Sequence, residues 1–437
     1  MPRRPSRPGE VPSVSSRPAE PHPPTVGGRK LKPATLMMGH GYDPRLSEGA
    51  LKPPIFLTST FVFESAAAGK RHFEAVTGRR PGGAEGLVYS RFNGPDQEIL
   101  EDRLSVWEEA ESALSFSSGM SAIATVLLSL VNPGDVIVHS APLYAAAETL
   151  IATVLGRFGV RFVDFPAGAE PAEIESTLAR ARALGPIALI YLESPANPTN
   201  ALVDVEAVKA ARDALPGKAR PPIIIDNTFL GPLWAKPLQQ GADLVVYSLT
   251  KYAGGHSDLV AGGALGPKAL IDKVRTLRNI IGTILDPHSA WMLLRSLETL
   301  ELRMTRAGEN AAKVCAFLRG HPKVERVGYL GFLEPGGRQA DIFRRHCAGA
   351  GSTFSLYLKG GEPQAFAFLD ALKIAKLAVS LGGTETLASH PASMTHLSVP
   401  DARKAQLGIT DNLVRISVGV EDADDLIADL DNALQGA

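Results

Sequence analysis

Short runs of apolar residues, closed by polar residues or glycine, recur along the middle of the chain. The runs lie at residues 113–116, 136–139, 160–165, 187–192, 223–225 and 244–247. Between several of them, apolar residues recur at spacings of three or four, as from Gln97 to Trp107. The first pattern is typical of buried parallel strands and the second of amphipathic helices. The alternation predicts an α/β domain with a mostly parallel sheet, which we place at residues 96–290.

The pattern changes after this region. Asp286 opens a long helical pattern that continues from Trp291 to Met304. Segments that alternate more clearly between apolar and polar residues follow at residues 352–358, 374–380 and 413–418. Helical patterns separate these segments. We therefore expect a smaller α+β domain at residues 291–437.

The two N-terminal segments differ in composition. Residues 1–35 are rich in proline, arginine and serine and contain almost no large apolar residue. Such a segment cannot bury enough surface to offset its ordering entropy, so we expect a disordered tail. Within residues 36–95, Pro53 and Pro54 precede aromatic and β-branched residues and favour an extended conformation. We expect this segment to form an extended arm that lies on another surface.

Residues with candidate chemistry follow two of the apolar runs. Asp226 closes one run, while Ser248, Thr250 and Lys251 follow the next. Neighbouring parallel strands deliver such residues to one crevice at their carboxyl ends. Pyridoxal phosphate (PLP) needs an amine for its aldehyde, an anion beside its ring nitrogen and donors for its phosphate, and this set supplies one of each. Alone, Asp226 would be a turn former and Lys251 a solvated surface charge.

The sequence around these residues resembles a known family. DNTF at residues 226–229 and GADLVVYSLTKYAGGHSD at residues 241–258 are similar to the cofactor segment of the Cys/Met-metabolism PLP-dependent enzymes. This family includes cystathionine γ-synthase, cystathionine γ-lyase, methionine γ-lyase and the O-acylhomoserine sulfhydrylases. The resemblance implies the PLP-dependent transferase fold type I, as in aspartate aminotransferase, with a PLP-binding large domain. It also implies a homo-oligomer, a dimer with shared active sites that assembles into a tetramer, in which the arm contacts the neighbouring subunit.

One motif near the end of the arm matches a phosphate-binding motif of this family. It consists of Tyr89, Ser90 and Arg91. Arginine is a planar donor that can grip a phosphate at two places. The resemblance implies that Tyr89 and Arg91 reach the cofactor phosphate of the adjacent protomer. An assembly of at least two chains would then be a condition of catalysis.

A second phosphate motif lies within the predicted α/β domain. Ser118, Gly119 and Met120 join a short apolar run to a helical pattern. A tight glycine turn at the start of a helix presents backbone N–H groups and the positive helix end to an anion. The resemblance implies that these residues, together with Ser248 and Thr250, bind the cofactor phosphate.

Further matches concern the cofactor ring and the substrate. Tyr144 matches a tyrosine that stacks on the ring and can serve in acid and base steps. Asn197 matches an asparagine that bonds the ring hydroxyl and the substrate carboxylate, and Ser380 and Arg415 match the clamp for that carboxylate. An arginine inside an apolar strand pattern is costly unless it is paired, which independently suggests anion binding at Arg415.

We therefore predict catalytic roles for Lys251, Asp226 and Tyr144. Lys251 would bond the cofactor aldehyde and later move protons on the substrate, while Asp226 would stay ionised beside the ring nitrogen. The resemblance implies elimination or replacement at the γ-carbon of a small amino-acid substrate, either a sulfur amino acid or an O-acyl-homoserine.

The choice between subgroups stays open in the sequence. Val379 and residues 380–396 look most like methionine γ-lyases. Ala146 and the pair Arg278-Asn279 depart from that subgroup. Methionine γ-lyase-like and cystathionine γ-synthase-like activities are therefore both expected candidates.

Two other interpretations use the same residues. Tyr247 and Lys251 have the Y-x-x-x-K spacing of short-chain dehydrogenases, a class of oxidoreductase in which the tyrosine is an acid. That class also needs a glycine-rich dinucleotide turn, and the sequence contains no G-x-G-x-x-G run. The second alternative is a non-catalytic relative that uses the PLP-enzyme fold for binding.

Composition narrows the partners and the location. The chain has 437 residues, with 45 Lys and Arg against 46 Asp and Glu, so a nucleic acid or a membrane surface is not an expected partner. No apolar run reaches the roughly 18 residues that a membrane span needs. Two cysteines, Cys315 and Cys347, fit a reducing compartment, and we expect a cytoplasmic protein. Neither cysteine has metal-ligand spacing, so no metal site is expected.

Overall fold

The structure is a computed structural model that describes residues 25–77, 79–81, 86–217 and 220–436. Its strands are β1 (Thr25–Val26), β2 (Arg29–Lys30), β3 (Ser112–Phe116), β4 (Val136–Ala141), β5 (Arg161–Pro166), β6 (Ile187–Glu193), β7 (Ile223–Asp226), β8 (Leu244–Ser248), β9 (Gly262–Gly266), β10 (Val324–Gly328), β11 (Thr353–Leu358), β12 (Lys376–Leu377), β13 (Leu387–Ser389) and β14 (Leu413–Ser417).

The helices alternate with these strands over much of the chain. They are α1 (Pro33–Leu36), α2 (Ala66–Val76), α3 (Pro95–Glu108), α4 (Gly119–Leu128), α5 (Ala145–Thr149), α6 (Pro171–Leu184), α7 (Val205–Asp213), α8 (Gly231–Trp234), α9 (Pro237–Gln240), α10 (Lys268–Ile281), α11 (Pro287–Leu297), α12 (Leu300–Arg319), α13 (Arg338–His346), α14 (Glu362–Ala371), α15 (Asp401–Gln406) and α16 (Ala423–Gln435). A π-helical turn at Leu150–Val154 and 3₁₀ turns at Pro44–Ser47, Leu155–Phe158, Leu330–Phe332 and Pro391–Ser393 complete the set.

The larger sheet has seven strands in the order β3-β9-β8-β7-β6-β4-β5. From β8 to β5 every neighbouring pair is parallel, and β9 runs antiparallel to both of its neighbours. The prediction of a mostly parallel sheet is confirmed. Ile224 and Val246 pack with α4 and α10, whereas Ile223 and Ile225 pack on the other face with α3 and α11. Helices on both faces explain why these strands are apolar along their whole length.

The smaller sheet has five strands in the order β10-β11-β14-β13-β12, antiparallel except for the pair β12 and β13. Its core includes residues of α12, α14 and α16. Helix α12 joins the two sheets. Its residues Leu300 and Met304 pack in the core on the α3 face of the larger sheet, and Val314 and Leu318 pack in the core of the smaller sheet. Helix α11 packs wholly on the larger sheet, so the expected domain boundary at residue 291 falls inside a helix of that core.

Two sequence expectations in this region are corrected by tertiary contacts. The single helix expected from Trp291 to Met304 is divided into α11 and α12, and Arg303 donates to the Ser296 carbonyl oxygen (2.8 Å) across the break. The strand expected at residues 374–380 is reduced to β12. The backbone N–H groups that precede β12 donate instead to the carboxylate of Asp429 on α16.

The N-terminal region also differs from expectation in part. Residues 25–35, expected within the disordered tail, include the β1–β2 pair and the start of α1, which packs Met37 into the core beside α3. The rest of that tail, residues 1–24, lies outside the described residues. The arm contains an unexpected helix, α2, capped by the Ser65 hydroxyl, which accepts from the Ala68 N–H (3.1 Å). In the described ranges, no helix is long and apolar enough to cross a bilayer.

Candidate active site

Strands β7 and β8 are parallel neighbours, so their carboxyl ends reach the same edge of the sheet. Lys251 lies in the turn after β8, and its Nζ donates to the Ser380 Oγ (3.0 Å) of the small domain. Burial and the nearby Arg415 charge lower the pKa of Lys251 to about 8, although Asp226 opposes this shift. A lysine with a lowered pKa offers a substantial fraction of free amine near neutral pH, which a nucleophile requires.

Asp226 ends β7 and is buried, with 8% of its surface exposed. Its Oδ1 accepts from the Thr228 backbone N–H (2.9 Å). Burial raises the pKa of Asp226, while the bonds from Thr228 and the charge of Lys251 lower it. A cation placed beside this carboxylate would favour its ionised form further. Asp226 can therefore act as the anion that a protonated ring nitrogen requires.

Arg415, in the middle of β14, is the buried cation of the site. Its Nη1 donates to the Asn197 Oδ1 (3.1 Å) and its Nη2 to the Ser380 carbonyl oxygen (2.9 Å). Burial lowers the pKa of Arg415 to about 10, so the guanidinium stays charged at neutral pH. Both of these oxygens are neutral, and a buried cation with neutral partners is suited to an anionic ligand.

The start of α4 forms a close-packed turn against β8 and β9. The Ser118 Oγ caps the helix by accepting from the Ser121 N–H (3.0 Å), and the Ser121 hydroxyl accepts from the Ser118 N–H (2.9 Å). A Cβ atom on Gly119 would lie 2.8 Å from the Ser248 Cβ, and one on Gly262 would collide with the Ser118 carbonyl oxygen. Glycine is required at both positions, and the helix start therefore lies beside Ser248, where an anion can be held.

Thr250 and Tyr144 have different surroundings. The Thr250 hydroxyl donates to the Ala261 carbonyl oxygen (3.2 Å) and accepts from the Ala261 N–H (3.0 Å). Tyr144 begins α5 with 40% of its surface exposed. It lines an open cavity of about 520 Å³, together with Met120 and Ala146. The structure thus gives Thr250 a backbone partner and leaves Tyr144 facing open space.

Tyr89 and Arg91 make their contacts elsewhere in the chain. Arg91 donates to the carbonyl oxygen of Asn279 near the end of α10 and lies 4.7 Å from the ring centroid of Phe92. Tyr89 is 40% exposed and forms a β-bridge with Thr60. In the described chain these contacts do not bring either residue to Lys251. Their role in a neighbouring subunit stays a prediction.

Glu193, at the end of β6, is a site residue that the sequence interpretation missed. Its Oε2 accepts from the Tyr144 N–H (2.6 Å) and its Oε1 from the Asn197 N–H (3.0 Å). In the sheet register Glu193 lies opposite Asp226. Burial and the Asp226 charge raise the pKa of Glu193 to about 8. One signal was present, since Glu193 closes an apolar run in the same way as Asp226.

The oxidoreductase interpretation does not fit this geometry. The Tyr247 hydroxyl donates to the Glu108 carboxylate and accepts from the Asn227 side-chain amide (2.7 Å). Successive strand residues face opposite sides of a sheet, so Tyr247 faces α3 whereas Ser248 contacts the start of α4. The phenol therefore bonds Glu108 and Asn227, not the Lys251 amine that would have to lower its pKa.

Asp204, Glu206 and His346 form a separate cluster between α7 and α13. Arg345 donates to both carboxylates of this cluster, at 2.7 Å from Asp204 and by a short contact to Glu206. The acidic charge is therefore balanced by an arginine, and the cluster joins two helices as an ion-pair network.

The arrangement around Lys251 fits PLP on three observations of this structure. It has a half-buried amine with a lowered pKa, a buried carboxylate at the end of the adjacent strand, and a glycine turn whose Cβ positions are blocked by backbone or by Ser248. These are the groups that the aldehyde, the ring nitrogen and the phosphate need. The fold and the site define a PLP-dependent enzyme of fold type I.

Comparison with known proteins gives the family. Residues 34–435 match the family described as Cys/Met metabolism PLP-dependent enzyme, and the chain belongs to this family. Its cofactor is PLP. The chain is 39% identical over 389 residues to an L-methionine γ-lyase of Fusobacterium nucleatum subsp. polymorphum, covering 89% of this chain and 94% of the relative.

Two further relatives carry different names. A cystathionine γ-lyase of Bacillus subtilis is 36% identical over 408 residues, which cover 93% of this chain and all of the relative. The crystal structure of a cystathionine γ-synthase from Xanthomonas oryzae pv. oryzae, in complex with aminoacrylate and cysteine, matches with a TM-score of 0.82 and 32% identity over 93% of this chain and 98% of that one. The predicted family and fold are confirmed. The oxidoreductase alternative is wrong.

Proposed function

We propose that this enzyme eliminates or replaces the γ-substituent of a sulfur amino acid or an O-acyl-homoserine. One observation carries the proposal. Ser380 accepts from Lys251 through its hydroxyl and from Arg415 through its carbonyl oxygen. An amino acid whose carboxylate binds Arg415 therefore has its α-carbon within reach of the Lys251 amine.

Each residue has a distinct part in this proposal. When bound, PLP supplies an electron sink for negative charge on the substrate carbons. Lys251 holds the cofactor and then moves protons between the α- and β-carbons of the substrate. Asp226 stays ionised and stabilises the protonated form of the ring nitrogen. Arg415 with Asn197 fixes the substrate carboxylate. Tyr144 stacks on the ring and acts as an acid or a base.

Phosphate binding falls to a second group of residues. The backbone of residues 118–120 and the hydroxyl of Ser248 lie together at the start of α4, which supports their assignment. Thr250 belongs to the same proposal, and its hydroxyl would exchange its bond to Ala261 for one to the phosphate.

The cavity beside Tyr144 favours substrates with an uncharged γ-substituent. Its lining includes Met120, Ala146 and Leu150 beside the hydroxyl groups of Thr149, Thr395 and Ser398, and Val379 is exposed next to Ser380. These lining residues carry no charge, and an uncharged lining accepts a methylthio group more readily than the charged distal end of cystathionine. We therefore rank methionine γ-lyase-like elimination ahead of cystathionine γ-synthase-like replacement.

Substrate turnover tests this proposal. The holoenzyme is assayed with methionine, cystathionine and the O-acetyl and O-succinyl esters of homoserine, each with and without an added thiol. We expect release of a 2-oxo acid and ammonia from methionine, and loss of this activity in Lys251→Ala but not in Lys209→Ala, an exposed lysine on α7. Absence of turnover with all four substrates, in protein that binds PLP, would favour the non-catalytic alternative.

We also propose a homo-oligomer, a dimer with shared active sites that assembles into a tetramer, in which residues 36–95 lie on the neighbouring subunit. Leu51, Leu57 and Val62 of the arm expose 79%, 76% and 95% of their surfaces. Such a run of exposed apolar side chains marks an interaction surface. In this assembly Tyr89 and Arg91 bind the phosphate in the partner's site.

A cytoplasmic location completes the proposal. Cys315 is buried and Cys347 half-buried, and both are free thiols. Unpaired thiols are usual in a reducing compartment. Labelling of both cysteines after denaturation without reductant supports this location, and a disulfide in protein isolated from its host contradicts it.

A further inference from the structure

One carboxylate connects the two loops that carry Tyr144 and Asn197. Glu193 is buried, with 4% of its surface exposed, and each of its oxygens accepts one backbone N–H from these loops. Its own N–H donates to the Ser140 Oγ (3.0 Å) on β4. Tyr144 follows β4 and Asn197 follows β6, which pair as far as His139 and Tyr191, and this side chain joins the two loops beyond the end of that pairing.

The bonds continue from Glu193 to the amine. Asn197 accepts from Arg415, Arg415 donates to the Ser380 carbonyl oxygen, and the Ser380 hydroxyl accepts from Lys251. Within this series Glu193 binds backbone rather than side chains at both oxygens. A change at Glu193 would therefore move two loops. A change at the side chain of Asn197 or Arg415 would move only that side chain.

The two backbone bonds favour the ionised form of Glu193. Each oxygen accepts one N–H, and these bonds act to lower the pKa of the carboxyl group. Asp226 on β7 and burial oppose ionisation and raise the pKa of Glu193, while Arg415 on β14 favours ionisation. Tyr191 on β6, fully buried beside both carboxylates, contributes no charge at neutral pH because its pKa is raised well above the usual value.

We propose that Glu193 is a positioning residue, whose carboxylate holds the main chain of Tyr144 and Asn197 at the separation that one amino-acid ligand requires. Lys251, Asp226 and the start of α4 make no hydrogen bond to this carboxylate among the described residues. The role should therefore affect amino-acid binding more than cofactor binding, because only the Tyr144 and Asn197 contacts to the cofactor ring would move. Only the turnover arm of the test rests on the proposed function.

Glu193→Gln provides the first test. The variant keeps the size of the side chain but turns an NH₂ group toward one of the two N–H donors. The glycine concentration that half-saturates the change in visible absorption of the bound cofactor is measured, since glycine has no γ-substituent to lose. We expect this concentration to rise about 10- to 100-fold, because one buried N–H loses its acceptor. The Kd for PLP should rise by a smaller factor, because Lys251, Asp226 and the start of α4 make no hydrogen bond to the changed side chain in the described chain.

Glu148→Gln is the matched control. Glu148 lies on α5, one turn after Tyr144, and its side chain does not accept from the Tyr144 N–H. It should leave both measurements unchanged. Equal glycine binding by wild type and Glu193→Gln would overturn the proposal, and so would a loss of PLP affinity as large as the loss of glycine affinity.

Two further measurements keep the test decisive. If Glu193→Gln does not fold, Glu193→Asp takes its place. This variant keeps the charge but is one methylene too short to reach both N–H groups, and it should also lose more affinity for glycine than for PLP. In variants that fold, kcat/KM for methionine should fall with glycine affinity. If the wild type turns over no γ-substituted substrate, the proposed function fails, whereas the glycine result still decides the role of Glu193.

Discussion

The half-buried amine of Lys251 and the buried guanidinium of Arg415 share Ser380 as a partner. The proximity of two cations is unfavourable, and the Arg415 charge contributes to the lowered pKa of Lys251. A bound substrate carboxylate would balance Arg415 and ease the protonation of Lys251. The Arg415 charge thus favours the neutral amine of Lys251 before the substrate binds. Once the substrate carboxylate balances that charge, Lys251 can accept and release a proton more readily.

Arg415→Gln tests this coupling. Removal of the guanidinium charge should raise the pKa of Lys251, since that charge disfavours the protonated amine. The rate at which apoenzyme incorporates PLP is followed by visible absorption between pH 6.5 and 9.5. The pH at which this rate is half-maximal, the midpoint, should rise by about one pH unit or less in the variant. Arg319→Gln, which changes an exposed arginine, should not move it. An unchanged or lower midpoint in Arg415→Gln contradicts the coupling.

Some of these residues can be predicted from sequence and others cannot. Lys251 and Asp226 follow apolar runs that both end in polar residues, and Arg415 interrupts an apolar strand, so their neighbours in the sequence single them out. Glu193 closes a strand as well, but its function depends on two backbone N–H groups from separate loops. Sequence spacing carries no information about which N–H groups will converge on one carboxylate.

Three elements meet at the phosphate end of the site: the start of α4, the end of β8 and the start of β9. Gly119 and Gly262 allow this approach, since a Cβ atom on either would strike Ser248 or the Ser118 backbone. The positive end of the helix is thus held beside a serine hydroxyl. The packing of the strands determines the shape of the anion site.

Gly119→Ala tests the close approach. The added methyl group should push α4 away from Ser248 and weaken PLP binding roughly 10-fold, as overpacking of a tight contact does. Gly156→Ala serves as the control, because a Cβ there meets no atom within 4 Å. The two Kd values for PLP are compared by fluorescence titration of the apoenzymes. Equal affinity in Gly119→Ala and the control would show that the turn tolerates a side chain.

At the level of elements, apolar patterning predicted the strands better than the helix ends. The runs that became β7 and β8 have the expected positions, because buried parallel strands are marked by composition alone. The division between α11 and α12 depends on Arg303, which reaches back to Ser296. Neither proline nor glycine marks that break in the sequence.

At the scale of the whole molecule, the described residues form a larger sheet with a core on each face, a smaller sheet with one core, and an arm with exposed apolar side chains. Lys251 follows a strand of the larger sheet and Arg415 lies in the smaller one, so the site depends on how the two sheets are held together. The pattern of apolar residues changes near residue 290, but it does not show that α11 packs in a core of the larger sheet.

Complementation between inactive variants tests whether the sites are shared. Arg91→Ala and Lys251→Ala are each expected to lose most activity. Co-expressed in one cell, they form mixed dimers in which one site has both native residues, and about a quarter of the wild-type activity should return for random pairing. A mixture that is no more active than its parents would mean that Arg91 serves the site of its own chain or none.

The central claim is that Lys251 carries the cofactor, and peptide mapping after reduction tests it most directly. The holoenzyme is treated with borohydride, digested and analysed by mass spectrometry, with Lys251→Ala as control. We expect a phosphopyridoxyl group on Lys251 and none in the variant. The same group on another lysine, or unmodified Lys251 in protein that retained PLP, would contradict the account.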